Sequence, residues 1–134
     1  MPFIEQLLPD VEALPPVPDG KYRLRISDAQ EKKSRKGDDM IVVSFAIEGA
    51  PNGCCWKVRH WFVLPGKDTP AERRQMQLLD LKRFLTAFHL PVQGGEIDLS
   101  EWIGSDGSAL LRQKVDKYTG QVFNRIRFPR LDAR

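Results

Sequence analysis

The sequence contains few of the residues that build metal centres and catalytic sites. Its 134 residues include only two histidines, His60 and His89, and two cysteines, the neighbours Cys54 and Cys55. Adjacent side chains on a strand point to opposite faces, so these thiols are not expected to bridge or to share a metal ion. No glycine-rich phosphate loop follows a predicted strand. We therefore expect no cofactor, no metal and no enzymatic activity, and the unbridged thiols favour a reducing cytoplasm.

The sequence also lacks an apolar run long enough to span a membrane, and its first residues do not resemble a secretory signal. Residues 1–20 contain four acidic residues and no basic one. Five prolines in residues 1–19 exclude a long helix there. We interpret residues 1–19 as an acidic, proline-rich arm, and residues 20–134 as the folded domain. The arm is expected to join protomers of a homo-oligomer, because Pro15, Pro16 and Pro18 would hold it away from its own body. The alternatives are that it packs on its own domain, or that its acidic residues lie in the basic groove and compete with DNA.

Basic charge is concentrated in the predicted domain. Residues 21–134 hold 21 basic and 14 acidic residues, whereas the whole chain has a net charge of only +3. This balance favours a polyanionic partner. The densest cluster occupies a predicted turn and consists of Lys32, Lys33, Ser34, Arg35 and Lys36. Like charges at one bend repel each other, so we expect a bound anion there, with a solvated loop as the alternative.

Hydrophobic patterning predicts five strands and one helix. The strands cover residues 21–30, 40–48, 54–64, 108–115 and 121–128. The helix lies between strands 3 and 4, and Thr69 is expected to cap it in a box with Glu72. Its predicted buried face consists of Leu78, Leu81, Leu85 and Phe88. This order predicts an all-β chain with one helix, a five-stranded Greek-key barrel of the oligonucleotide/oligosaccharide-binding (OB) fold; an open α+β sheet is the alternative.

In an OB fold, ligands lie across strands 2 and 3, flanked by the loop between strands 1 and 2 and the loop between strands 4 and 5. The Lys32–Lys36 turn occupies the first loop, and Lys117 and Tyr118 occupy the second. One face of strand 3 offers Lys57, Arg59 and Trp61, although Trp61 has an alternative role in the core, where Trp56 and Phe62 are expected. The other candidate binding residues lie on strands 1 and 5 and are Arg23, Arg25, Phe123 and Arg125. Cations for phosphates and aromatic rings for bases together indicate single-strand binding.

Four segments of the chain carry a resemblance to a known family. They are "GKYRLRI", "SRKGDDMIVVSFAI", the glycine of "WIG" and "TGQVFNRI". Between about Gly20 and Phe128 the sequence resembles a phage-encoded family of small single-stranded DNA-binding proteins. The resemblance implies an OB barrel and non-catalytic DNA binding in phage replication or recombination, and by matching position it points to Ser34, Lys36, Gly37 and Asn124. The chain ends in the basic "RFPRLDAR", so partner recruitment through an acidic tail is not expected.

These observations predict a non-catalytic single-stranded DNA-binding protein that acts in a bacterial host cell. Two alternatives stay open. An RNA-binding OB-fold protein shares nearly all the physics, because stacking and charge do not separate the two sugars. A protein-interaction module would use the apolar residues of the arm, and its basic faces would serve only solubility. Phage replication or recombination proteins are further candidate partners.

Overall fold

The computed structural model describes residues 15–90 and 98–130, whose five strands form one antiparallel sheet. The strands are β1 (Gly20–Lys33), β2 (Asp39–Glu48), β3 (Lys57–Val63), β4 (Asp106–Val115) and β5 (Val122–Arg127). Within the sheet they follow the order β3-β2-β1-β4-β5. One helix, α1 (Ala71–Ala87), separates β3 from β4 in the chain and is followed by a short 3-10 helix (Leu99–Glu101). Over residues 15–90 and 98–130, the prediction of a β protein with one helix between strands 3 and 4 is confirmed.

The central strand β1 is longer than predicted and contains a bulge. Its register with β2 shifts between Ile26 and Asp28, so the extra residue Ser27 reverses which side chains face outward. Before the bulge Leu24 and Ile26 point into the core. Beyond it β1 continues as far as Lys33. The strand therefore includes the first two residues of the predicted basic loop.

The two edge strands, β3 and β5, approach each other. The rings of Phe62 and Phe128 have centroids 5.8 Å apart, and those of His60 and Phe128 are 5.2 Å apart. Hydrogen-bonded pairing in the described sheet nevertheless links β3 only to β2 and β5 only to β4. The sheet thus curls until its edges meet at a seam, defined here as the gap between β3 and β5, without closing by a ladder of hydrogen bonds.

Helix α1 packs on the inner face of this curled sheet. Leu81, Phe84, Leu85 and the following Phe88 are buried, at the spacing of one helical face. The Phe84 ring lies 4.9 Å from that of Phe62, between centroids. The prediction for Leu78 is wrong, since it is exposed and the helix turns Phe84 toward the core instead. No helix in the described ranges has both the length and the apolar content to cross a bilayer.

Backbone hydrogen bonds, rather than side-chain caps, stabilise the two ends of α1. The Pro70 carbonyl accepts the first intrahelical hydrogen bond, from the Arg74 N–H at 2.9 Å. The predicted capping box is wrong, because the Thr69 hydroxyl accepts the Gly66 N–H at 2.8 Å and thereby stabilises the preceding turn. At the other end His89 has a φ of 54°. The Leu90 N–H donates to the Leu85 carbonyl in a Schellman motif, so His89 has a structural role.

Residues 15–19 pack against their own body. Val17 is fully buried, its N–H donates to Asn124 Oδ1 at 2.9 Å, and its carbonyl accepts from Asn124 Nδ2 at 3.0 Å. The Pro15 carbonyl accepts the Cys55 N–H at 2.7 Å. This segment therefore bridges the seam between Cys55, two residues before β3, and Asn124, the third residue of β5. The expectation that the prolines hold the arm away from its own body is wrong for residues 15–19, and residues 1–14 lie outside the described part.

Candidate nucleic-acid interface

The outer face of β3 and the neighbouring face of β2 form a basic surface. Lys57, Arg59 and Trp61 point outward, whereas Val58 and Phe62 between them are buried. Directly opposite these three on β2 lie Ala46, Ser44 and Val42, respectively. We call these six residues the platform. Its floor consists of Ala46, Ser44 and the largely buried Val42, and its edge carries two cations and an indole, as the alternation of strand 3 predicts.

Trp61 is exposed and is not part of the core. Its exposed fraction is 52%, while the third tryptophan, Trp102, is buried at 2%. No carboxylate of the described residues lies within ion-pair distance of Lys57 or Arg59. The platform therefore combines an accessible aromatic face with two cations that form no ion pair within the described residues. These are the two chemical requirements for holding a base and its phosphate.

Trp56 adds a second exposed indole that the sequence analysis assigned to the core. Half of its surface is exposed, and the Lys57 Nζ lies 4.5 Å from its ring centroid. The alternation argument failed because β3 begins only at Lys57, so strand parity does not reach Trp56. The sequence signal for the exposure of Trp56 was its position directly before a lysine and just beyond a Pro-Asn-Gly turn.

The basic turn, residues 34–38, is shaped by its own hydrogen bonds. The Ser34 N–H donates to the Asp38 carbonyl at 2.8 Å, and the Ser34 hydroxyl accepts the Asp38 N–H at 3.1 Å. Gly37 has a φ of 88°, which L side chains rarely adopt. Ser34 and Gly37 thus form the turn, and Arg35 and Lys36 are exposed on it. Asn124 is likewise structural, because its amide holds Val17.

The two lysines before this turn differ in their surroundings. Lys33 pairs with Asp39 across the strands, with Nζ 2.9 Å from the carboxylate. The hydrogen bond and then the charge of Asp39 raise the pKa of Lys33 above its ordinary value. Lys32 lies opposite Met40 and has no carboxylate partner among the described residues. Part of the predicted cluster is therefore neutralised by its neighbour, and the remainder is available to an anion.

A cavity of about 670 Å³ lies between the basic turn and the loop from β3 to α1. Val63, two residues beyond Trp61, contributes to its wall, so the cavity begins where the platform ends. The charged residues that line it are Arg35, Lys36, Asp38, Lys67, Asp68 and Arg73. Basic side chains outnumber acidic ones, so an anion that leaves the platform in this direction meets net positive charge.

The predicted binding arginines of β1 are engaged in ion pairs. Arg23 lies 3.0 Å from Asp106 of β4, and Arg25 lies 3.3 Å from Glu48 of β2. Both side chains remain more than half exposed. Their charges are compensated within the sheet, so these two arginines are weaker candidates than Lys57 and Arg59.

Lys117 and Tyr118 lie in the turn between β4 and β5. The Asp116 carboxylate accepts the Tyr118 N–H at 2.7 Å and orders this turn, while the Tyr118 side chain is 97% exposed. Gly20 at the start of β1 pairs with Leu111, so the turn lies beyond that end of β1. The basic turn lies beyond the other end. The two predicted loops therefore stand at opposite ends of the sheet.

Phe123 and Arg125 lie on β5, and β1 and β4 separate them from the platform within the sheet. Phe123 pairs with Lys114 and Arg125 pairs with Arg112. The outer face of this hairpin thus carries more basic residues than the sequence analysis selected. The alternation of Arg112 and Lys114 in "LLRQKV" was the signal for the two it left out.

Known proteins and metal-binding patterns give no further assignment. In residues 15–90 and 98–130, no three histidine, cysteine, aspartate or glutamate side chains cluster to hold a metal ion. His60 Nε2 lies 2.8 Å from the Asp80 carboxylate, in a pair that links β3 to α1. No protein-family profile matches the chain, and no curated protein is similar to it in sequence.

Proposed function

We propose that this protein binds single-stranded DNA, without catalysis, on the platform and the adjoining basic turn. One observation carries the proposal: an exposed tryptophan stands beside two cations that have no carboxylate partner among the described residues, above a floor of small side chains. The six platform residues supply both parts of a single-strand site within one sheet face.

The physical reason is the division of labour in single-strand binding. Stacking of a base on an aromatic side chain contributes about 1–3 kcal/mol and works for every base. Cations that neutralise phosphates release counterions, which gives affinity without sequence preference. The cross-strand neighbours of Lys57, Arg59 and Trp61 on β2 are the uncharged residues Ala46, Ser44 and Val42, so no carboxylate on β2 stands directly opposite these three side chains.

The proposal includes an OB fold. β1 pairs with both β2 and β4, as the first strand of an OB barrel does. In a barrel of this order β3 and β5 would be the closing pair, and these strands approach each other in the structure. The platform would then occupy the usual ligand face of the fold, across the second and third strands.

The biological setting of the proposal comes from the sequence resemblance. It extends the proposal to phage DNA replication or recombination in the cytoplasm of a bacterial host. Self-association through the arm stays a separate prediction, now restricted to residues 1–14, and light scattering tests it.

The test is a titration of labelled oligo-dT, oligo-rU and duplex DNA at several salt concentrations. Oligo-dT should bind more tightly than the duplex, and log affinity should fall linearly with log salt by about 0.7 per neutralised phosphate. An affinity for oligo-dT that does not change with salt would contradict the proposal. Tighter binding of oligo-rU would favour the RNA-binding alternative.

A further inference from the structure

A second cavity, of about 510 Å³, lies at the seam where β3, β5 and α1 meet. Its basic lining consists of Arg83, Arg112, Lys114, Arg125 and Arg127. The carboxylate in the lining belongs to Asp80, which is already hydrogen-bonded to His60. Apolar surface from Met76, Leu79 and Phe128 completes the wall. We call this space the seam cavity.

Basic residues of the seam cavity outnumber the one lining carboxylate, that of Asp80, by five to one. Arg112 and Arg125 stand directly opposite each other on β4 and β5, an arrangement that destabilises a sheet when both side chains carry the same charge. The Nε of Arg83 is buried and has no hydrogen-bond partner within the described ranges. A bound anionic ligand can supply the hydrogen-bond acceptors that these arginine side chains lack.

The type and spacing of the cations indicate phosphate groups in series. Four of the five are arginines, whose planar guanidinium donates two parallel hydrogen bonds to a phosphate. Arg125 and Arg127 stand two residues apart on one strand face, as do Arg112 and Lys114 on the next. A two-residue step is about 6.6 Å, which is comparable to the spacing of successive phosphates in an extended nucleic-acid strand.

The seam cavity and the platform lie on opposite sides of the same strand, β3. Arg59 and Trp61 of β3 belong to the platform, and His60 between them lines the seam cavity. Phe123, on the same outer face as Arg125, is also exposed. We propose that the seam cavity is a second binding site for the phosphodiester backbone. Single-stranded DNA that leaves the platform would reach it by crossing β3. This inference rests on the proposed function and extends its path.

The test compares two oligo-dT lengths, about 6 and about 16 nucleotides, within the range of OB-fold site sizes. The test variant is Arg112→Gln with Arg125→Gln. The matched control is Arg74→Gln with Lys82→Gln, which removes the same charge from exposed helix positions that line neither cavity. The dissociation constants are measured across a salt series.

The inference predicts that the test variant makes the salt slope for the long oligonucleotide shallower by about 1.4, two phosphates at 0.7 each. Binding of the short oligonucleotide should match that of the control variant. Equal long-oligonucleotide slopes for the two variants would overturn the inference, even if Trp61→Ala weakens the short one and thereby supports the platform. If the unaltered protein binds neither length, both proposals fail.

The acidic residues of the arm are the competing occupant, and one further variant distinguishes them. Glu5, Asp10 and Glu12 are neutralised both in the unaltered chain and in the chain with Arg112→Gln and Arg125→Gln. The inference predicts that the resulting change in melting temperature is the same in the two chains. A destabilisation that occurs only when both arginines are present, with no effect of the arginines on the long oligonucleotide, would assign the seam cavity to the protein's own acidic segment and overturn the inference.

Discussion

The outer faces of β1 and β3 carry similar sequences but differ in charge compensation. Both alternate basic with buried apolar residues: Arg23 and Arg25 on β1, Lys57 and Arg59 on β3. β1 lies between two strands, and each neighbour presents a carboxylate to it. β3 is bonded only to β2, which presents small and uncharged side chains to these lysine and arginine residues.

The difference shows that a basic strand face is not by itself a binding face. Exposed ion pairs contribute about 0–1 kcal/mol each to stability, so the β1 arginines mainly balance local charge. The β3 cations have no such carboxylate partner among the described residues, although Lys57 lies over the Trp56 ring, so their charges are available to a ligand. The identity of the cross-strand neighbour, rather than the alternation, separates the two roles.

The largest expected effect is that of Trp61→Ala, which removes an aromatic group of a kind that the basic outer face of β1 lacks. Affinity for oligo-dT should fall by about 1–3 kcal/mol, the value of one stacked base, and the melting temperature should hardly change because Trp61 is half exposed. Calorimetry and titration of the same sample measure both. Early melting with normal binding by the folded fraction would indicate that Trp61 serves stability and not DNA binding. Tyr118→Ala applies the same test to the distant turn, where a weaker loss is expected.

The next effect concerns the basic turn and the strand end before it. Replacing Lys32, Arg35 and Lys36 by serine, while keeping the Lys33–Asp39 pair, should make the salt slope shallower by about 2, from three phosphates at 0.7 each. Thermal stability should be equal or slightly higher, because mutual repulsion is relieved. Full-strength, equally salt-dependent binding would show that the turn is simply solvated.

A direct comparison of the two strands comes third. Lys57→Gln with Arg59→Gln should make the salt slope shallower by about 1.4, at unchanged stability. Arg23→Gln with Arg25→Gln removes the same charge, yet it should alter the slope less and cost stability of up to about 1 kcal/mol per ion pair. Indistinguishable slopes for the two double variants would remove the distinction between β1 and β3.

The smallest effect should come from removing the carboxylate partner of one β1 arginine, so that its charge is uncompensated like those on β3. Glu48→Gln removes the partner of Arg25 and leaves its guanidinium free to bind phosphate. The salt slope should then steepen by about 0.7, one additional phosphate contact. A slope identical to that of the unaltered protein would mean that Arg25 lies outside the path of the DNA even when it is unpaired.

Hydrophobic periodicity was sufficient to predict the five strands, the helix and the outward face of β3, because burial on one side of an element leaves a local signal. It did not predict features that depend on partners distant in sequence. Asp106 lies 83 residues from Arg23, and no local pattern relates them. The same holds for Val17 and Asn124, 107 residues apart, which explains the misplaced end of the arm. The seam cavity combines residues of β3, α1, β4 and β5 and appears only when the sheet curls.

The most direct test of the account is an NMR titration that follows the three indole N–H signals, from Trp56, Trp61 and Trp102, while oligo-dT is added. The account predicts that the Trp61 signal shifts and saturates with the binding isotherm, that Trp56 beside Lys57 shifts with it, and that the buried Trp102 stays in place. A stationary Trp61 signal at saturating oligo-dT would contradict a binding site on the platform.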